Sequence, residues 1–299
     1  MKKQKFKWAL VLSGGGARGF AHIGFLKALE AAGFPRPSFV AGTSMGAIVG
    51  GLFACGVPAA EMERFVIKEF KMSDYLESFA FRLSGPVGQI FQTGQMLASL
   101  ATRRGVDKGQ KALELFNRLS GGKDFSETEI PFRCNAVDLV SGREVVFSSG
   151  SVAMAMRASM SFPVFFEPVM ENGMCLVDGG IFNNIPVGIA RSEGFKHVLA
   201  INVNRFAARN IDELKNGPQI IFRSMESILR TMQSAVQNNR NEQAELTINV
   251  SDDATPLSFY RKKEFIKLGE RAVETYRITL EEFFKPRFGS FKTPVVCGS

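Results

Sequence analysis

The 299-residue chain holds only two histidines, one tryptophan, three tyrosines and four cysteines. So few histidines leave any nucleophilic serine short of its usual base. Cys55, Cys134, Cys175 and Cys297 are scattered without metal-ligand or disulfide spacing, so the expectation is no metal and a reducing compartment. No stretch reaches the roughly 18 apolar residues of a membrane-spanning helix. After the basic Met1–Lys7, the apolar run Trp8–Leu12 is too short for a signal-peptide core, which sets the expectation of a cytoplasmic protein.

What the chain has in quantity is positive charge and phenylalanine. Its 37 Lys and Arg against 29 Asp and Glu give a net charge of +8, and it carries 28 Phe. Anionic lipid surfaces and nucleic acid both attract such a protein. No nucleic-acid motif accompanies the charge, so nucleic acid is not expected as a partner, and peripheral contact with an anionic membrane surface is. A phenylalanine-built core is the plainer explanation of the same composition.

The pentapeptide Gly42-Thr43-Ser44-Met45-Gly46 follows the apolar Phe39-Val40-Ala41 and precedes a small-residue helical stretch. Strand, tight turn and helix around G-x-S-x-G form the pattern of a nucleophile elbow, whose flanking glycines avoid collision with the neighbouring strand and helix. Ser44 is the candidate nucleophile; the plainer alternative is a serine that caps the helix. Neither histidine has the loop setting of a catalytic base. His22 falls just inside a predicted helix, and His197 opens the apolar run Val198–Val203. The better-placed base is Asp178, which ends the strand Cys175-Leu176-Val177 before Gly179 and Gly180. An acid at the carboxyl end of a strand in an α/β sheet faces the ligand crevice, although Asp-Gly is also an ordinary turn.

Between the strand Trp8–Leu12 and a helix beginning at Phe20 lies Ser13-Gly14-Gly15-Gly16-Ala17-Arg18-Gly19. Consecutive glycines before a helix leave backbone N–H groups bare, suited to a phosphate or an oxyanion. Gly14, Gly16 and Gly19 satisfy the dinucleotide pattern G-x-G-x-x-G. Yet no Asp or Glu stands between Glu30 and Glu61 to hold a ribose, and Phe20 occupies the position of a P-loop lysine. No cofactor is expected, and an oxyanion hole is the reading left. Arg18 orients the loop or an acidic substrate group, or is simply solvated.

Strands alternate with helices in the first half, which calls for an α/β fold with parallel pairing. Residues from about 57 to 104 interrupt this rhythm as a cap-like insertion, a lid or a packing element. Cys134–Leu139 and Arg143–Phe147 flank Ser141-Gly142 as a hairpin. A helix from about Pro218 to Ala244, a strand Leu246–Val250 and a helix from about Lys263 to Phe284 follow. The expected organisation is a catalytic domain over 7–203 and a mainly helical extension over 204–299 packed on the same domain.

Gly14–Gly19, Gly42–Gly46 and Asp178-Gly179-Gly180, in that order, resemble the bacterial patatin-like phospholipases. Gly105–Gly109, Ile130-Pro131-Phe132, Asn135–Glu144 and Arg157-Ala158-Ser159 with Pro163 and Pro168 extend the resemblance, which covers roughly Lys7 to Val203. It implies a three-layer α/β/α sandwich with a mainly parallel sheet, and hydrolysis of lipid acyl esters by a Ser-Asp dyad without histidine. Ser44 would then be the nucleophile, Asp178 the base, and the amides of Gly14, Gly15, Gly16, Ala17, Arg18 and Gly19 the oxyanion hole. Gly180 stands where many members carry alanine. The alternatives are a non-catalytic lipid-binding or regulatory protein on the same scaffold, and acyl transfer from coenzyme A thioesters, which wants a histidine partner. The lipid's head group and the oligomeric state stay open.

Overall fold

Short apolar strands separated by helices pair into one mixed sheet. A computed structural model describes residues 6–75, 105, 107–163, 165–204, 211, 217–237, 239, 243–250, 252, 254–285 and 295–297. Among these the strands are β1 (Ala9–Leu12), β2 (Phe39–Gly42), β3 (Phe132–Asp138), β4 (Arg143–Phe147), β5 (Val169–Glu171), β6 (Met174–Asp178), β7 (Val198–Asn202), β8 (Leu246–Asn249) and β9 (Val295–Cys297). The helices are α1 (Phe20–Ala31), α2 (Met45–Ala54), α3 (Ala59–Lys68), α4 (Gln110–Leu119), α5 (Val152–Ser159), α6 (Val187–Ser192), α7 (Gly217–Gln237), α8 (Lys262–Thr275) and α9 (Arg277–Phe284). The sheet runs β5-β6-β3-β2-β1-β7-β8-β9, with β4 paired to β3.

From β3 through β2, β1, β7 and β8 to β9 every pairing is parallel. The central strands β1 and β2 and most of β7 read as apolar runs because both of their faces are covered. Leu10 and Leu12 of β1 turn toward a large core with Phe25, Phe53 and Phe265, whereas Ala9 and Val11 turn toward a smaller one with Ile185, Val187 and Ile189. Helices therefore lie on both sides of the sheet, in three layers.

The register of β3 decides where the chemistry can occur. Cys134 pairs with both Gly42 and Phe147, and Ala136 with both Asp178 and Val145. A strand residue has two edges, so β2 and β6 must share the edge of β3 that β4 does not occupy. The first is parallel to β3 and the second antiparallel. Their carboxyl ends accordingly meet head to head along β3, two residues apart, and this brings Ser44 and Asp178 together.

The hairpin of β3 and β4 lies where the sequence places it. Of the cap-like insertion, α3 and the segment to Tyr75 are seen, and 76–104 fall outside the described residues. The final helix is two helices broken at Tyr276 (φ −104°, ψ 23°), and α7 ends at Gln237 rather than near Ala244. Residues beyond 204 also contribute β8 and β9 to the main sheet.

Candidate active site

Ser44 stands between β2 and α2 with φ 53° and ψ −120°, a conformation L-residues rarely adopt. Such a residue stores on the order of 1–3 kcal/mol and persists only where its surroundings fix it. Here the Ser44 amide donates to Ser159 Oγ at 2.8 Å, and the buried Thr43 Oγ1 lies 2.7 Å from Asn135 Oδ1. The flanking glycines leave no alternative packing. A Cβ on Gly42 would stand 2.3 Å from the Gly46 carbonyl oxygen, and one on Gly46 2.2 Å from that of Leu12.

From this elbow Ser44 Oγ donates a 2.7 Å hydrogen bond to Asp178 Oδ2. The other carboxylate oxygen, Oδ1, accepts the Gly180 amide at 2.7 Å, and the Asp178 amide donates to the Ser161 carbonyl at 3.0 Å. Asp178 is 3% exposed. Burial pushes its carboxyl up to about 6, against the hydrogen bonds from Ser44 and Gly180, which hold it down. The pair thus combines a hydroxyl aimed at an acceptor with a carboxylate whose proton affinity suits neutral pH.

In the glycine loop the amides of Gly14, Ala17 and Arg18 are engaged, donating to the carbonyls of Asn184, Pro256 and Gly15. Those of Gly15 and Gly16 have no acceptor among the described residues, and both glycines line the cavity that holds Ser44 and Asp178. Arg18 is buried and lines it too, its Nη2 donating to Asn204 Oδ1 at 3.1 Å. Asn204 Nδ2 donates in turn to the Gly14 carbonyl. Gly19 packs on Met45, Gly179 on Asn135, and neither is among the described residues lining the cavity.

That cavity has a volume of about 1270 Å³. Its walls are mainly apolar, with Ile48 and Leu52 from α2, Phe65 from α3, Phe70 and Tyr75 beyond it, and Leu115 from α4. The described part of the insertion therefore walls the space above Ser44 and Asp178.

Both histidines are engaged away from Ser44 and Asp178. His22 is fully buried, and its Nε2–H donates to the Ser13 carbonyl at 2.9 Å; burial pulls its pKa down to about 4, so it is neutral. His197 precedes β7 at the amino end of the parallel strands, opposite to the end that carries Ser44, and its ring stacks on Phe283 at 4.0 Å. No group of His, Cys, Asp and Glu fit to hold a metal occurs among the described residues. Sequence reasoning missed Asn204 and Asn184, and the contact of the Ser159 hydroxyl with the elbow. No local sequence pattern marks either asparagine.

The family model of patatin-like phospholipases matches residues 10–191. The chain belongs to that family. Over 197 residues, 65% of this chain, it is 33% identical to human patatin-like phospholipase domain-containing protein 6. Over 194 residues it is 29% identical to lysophospholipase NTE1 of Candida albicans. It spans 13% of each of those longer proteins. Among solved structures, VipD from Legionella pneumophila superposes with a TM-score of 0.53 at 16% identity, covering 92% of this chain and 67% of that one, a likeness of fold. The patatin-like fold was the expectation from the three motifs. As in the sequence, no described helix is long and apolar enough to cross a membrane.

Proposed function

We propose that this patatin-like chain is a serine acyl-ester hydrolase that releases fatty acids from lipids, of the phospholipase A or lysophospholipase type. The observation that carries the reading is the 2.7 Å hydrogen bond from Ser44 to a buried carboxylate at the foot of a large apolar cavity. Ser44 Oγ attacks the ester carbonyl carbon while Asp178 Oδ2 takes its proton. The oxyanion of the tetrahedral intermediate is held by the Gly15 and Gly16 amides. Collapse expels the alcohol, which receives the proton from Asp178, and leaves an acyl group on Ser44. Water then attacks that ester, giving its proton to Asp178, and fatty acid leaves as the serine hydroxyl is restored.

The acyl chain lies among Ile48, Leu52, Phe65 and Leu115. Peripheral contact with an anionic lipid surface belongs to the same proposal. It is supported by the net charge of +8 and by Leu257 and Tyr260, which are 51% and 84% exposed while lining the cavity. The test is fatty-acid release from a panel of phospholipids, lysophospholipids, acylglycerols and acyl-coenzyme A, with acid-quenched samples digested and weighed. An acyl group on the Ser44 peptide together with release from lipid esters supports the proposal. Lipid binding without release by folded protein favours the non-catalytic reading instead.

A further inference from the structure

Asn184 lies between the base loop and α6, and its backbone carbonyl accepts the Gly14 amide at 3.2 Å. Its side chain has a different situation. Among the described residues the Asn184 amide group has no hydrogen-bond partner, and it lines the cavity. Two neighbouring glycines show where it stands. A Cβ on Gly14 would be 2.4 Å from Asn184 Oδ1 and 3.1 Å from Ser44 Cβ. A Cβ on Gly180 would be 2.7 Å from the same Oδ1 and 3.0 Å from Asp178 Oδ1. The amide fills the gap that two missing side chains leave between the glycine loop and the base loop, beside both members of the dyad.

We propose that the Asn184 side-chain amide donates a hydrogen bond to the reacting ester as negative charge develops on it, joining the Gly15 and Gly16 amides. This rests on the Ser44–Asp178 reading above. A half-turn about its last bond exchanges the amide's oxygen and nitrogen, and the negative charge that develops on the ester draws the N–H end toward it. A lipid that fills the cavity brings its ester to the Asn184 amide as a partner. Because charge appears only on attack, the bond strengthens in the transition state and acts on kcat rather than on lipid binding. Removal of one such donor lowers kcat by about 10²–10³-fold in comparable sites.

The experiment compares wild type, Asn184→Ala and Asn184→Ser in hydrolysis of a soluble short-chain aryl ester and in inactivation by an alkyl fluorophosphonate, with thermal melts alongside. The phosphonyl oxygen of that reagent occupies the place of the oxyanion without needing a lipid surface. The expected result is a kcat about 10²-fold lower in Asn184→Ala, KM within about threefold, inactivation slowed in proportion, and partial recovery by Asn184→Ser, which keeps a donor. A kcat within about threefold of wild type in a folded Asn184→Ala protein overturns the inference, as does a loss of kcat that leaves the inactivation rate unchanged. If Asn184→Ala does not fold, the folded Asn184→Ser protein decides by the same comparison, wild-type rates overturning the inference and a proportional slowing of both reactions supporting it. Should the reagent label wild type elsewhere than Ser44, the dyad reading fails and the inference with it; label on Ser44 with unaffected variants overturns the inference alone.

Discussion

Ser44 Oγ sits 2.7 Å from Asp178 Oδ2, and the carboxylate it faces is one that burial has raised to about 6. An aspartate at its ordinary pKa of about 3.9 is a weak base for a serine hydroxyl. The raised value brings it closer to a useful one. As the base must be ionised in the free enzyme, kcat/KM should rise with pH through about 6 and level off above it, the limb belonging to one group. A pH–rate profile on a soluble ester checks this; a limb near pH 4 would show that the carboxylate is not desolvated in solution.

The same shift carries a sign for stability. The folded-state pKa of Asp178 lies above the unfolded one, so the native state favours the protonated form. Its contribution is fully present below the unfolded value near 4 and is lost as pH rises through about 6. Asp178→Asn, which stays neutral, should therefore raise Tm at pH 7.5 by the equivalent of on the order of 1–3 kcal/mol, and the gain should vanish toward pH 4. Thermal melts at the two pH values test it. An inactive variant that is also stabilised is the mark of a functional residue rather than a structural one.

His22 and His197 are each held by a backbone carbonyl, of Ser13 and of Phe283. Replacing either by asparagine should leave kcat/KM within about tenfold in folded protein. The His22 variant should lose stability, because the Ser13 carbonyl loses a buried donor worth about 1 kcal/mol. Steady-state kinetics with parallel melts separate the effects, and a loss of activity by more than about 10³-fold with an unchanged melt would restore a histidine to the mechanism.

The elbow glycines should differ sharply from Gly180. A Cβ on Gly46 meets backbone at 2.2 Å, whereas one on Gly180 meets the side chains of Asn184 and Asp178 at 2.7 and 3.0 Å. Gly46→Ala should cost about 3 kcal/mol or more, or prevent folding, while Gly180→Ala, which meets side chains that can shift and matches the alanine many members carry, should fold at a cost of about 1 kcal/mol. Denaturant titration ranks the two.

The three contiguous motifs were legible because each carries its whole geometry within a few residues: glycines for the elbow, glycines for the bare amides, an acid at a strand end. What joins them was not. Ser159 braces Ser44 from 115 residues away and Asn204 braces Gly14 from 190, and no local pattern marks either. The antiparallel run of β6 was equally hidden. An apolar strand ending in Asp reads alike in both directions, yet only the antiparallel one brings Asp178 to the end of β2 along β3. The break at Tyr276 has neither proline nor glycine to announce it, since the apolar positions continue in helical spacing on both sides.

The most direct measurement is the turnover of one lysophospholipid by wild type, Ser44→Ala and Asp178→Asn, each shown folded by its melt. The expected result is a fall of at least about 10³-fold in kcat for both variants, with no further fall when they are combined, as for residues that act as a unit. An Asp178→Asn enzyme retaining a tenth or more of wild-type turnover, about 1.4 kcal/mol in the barrier, would contradict the dyad.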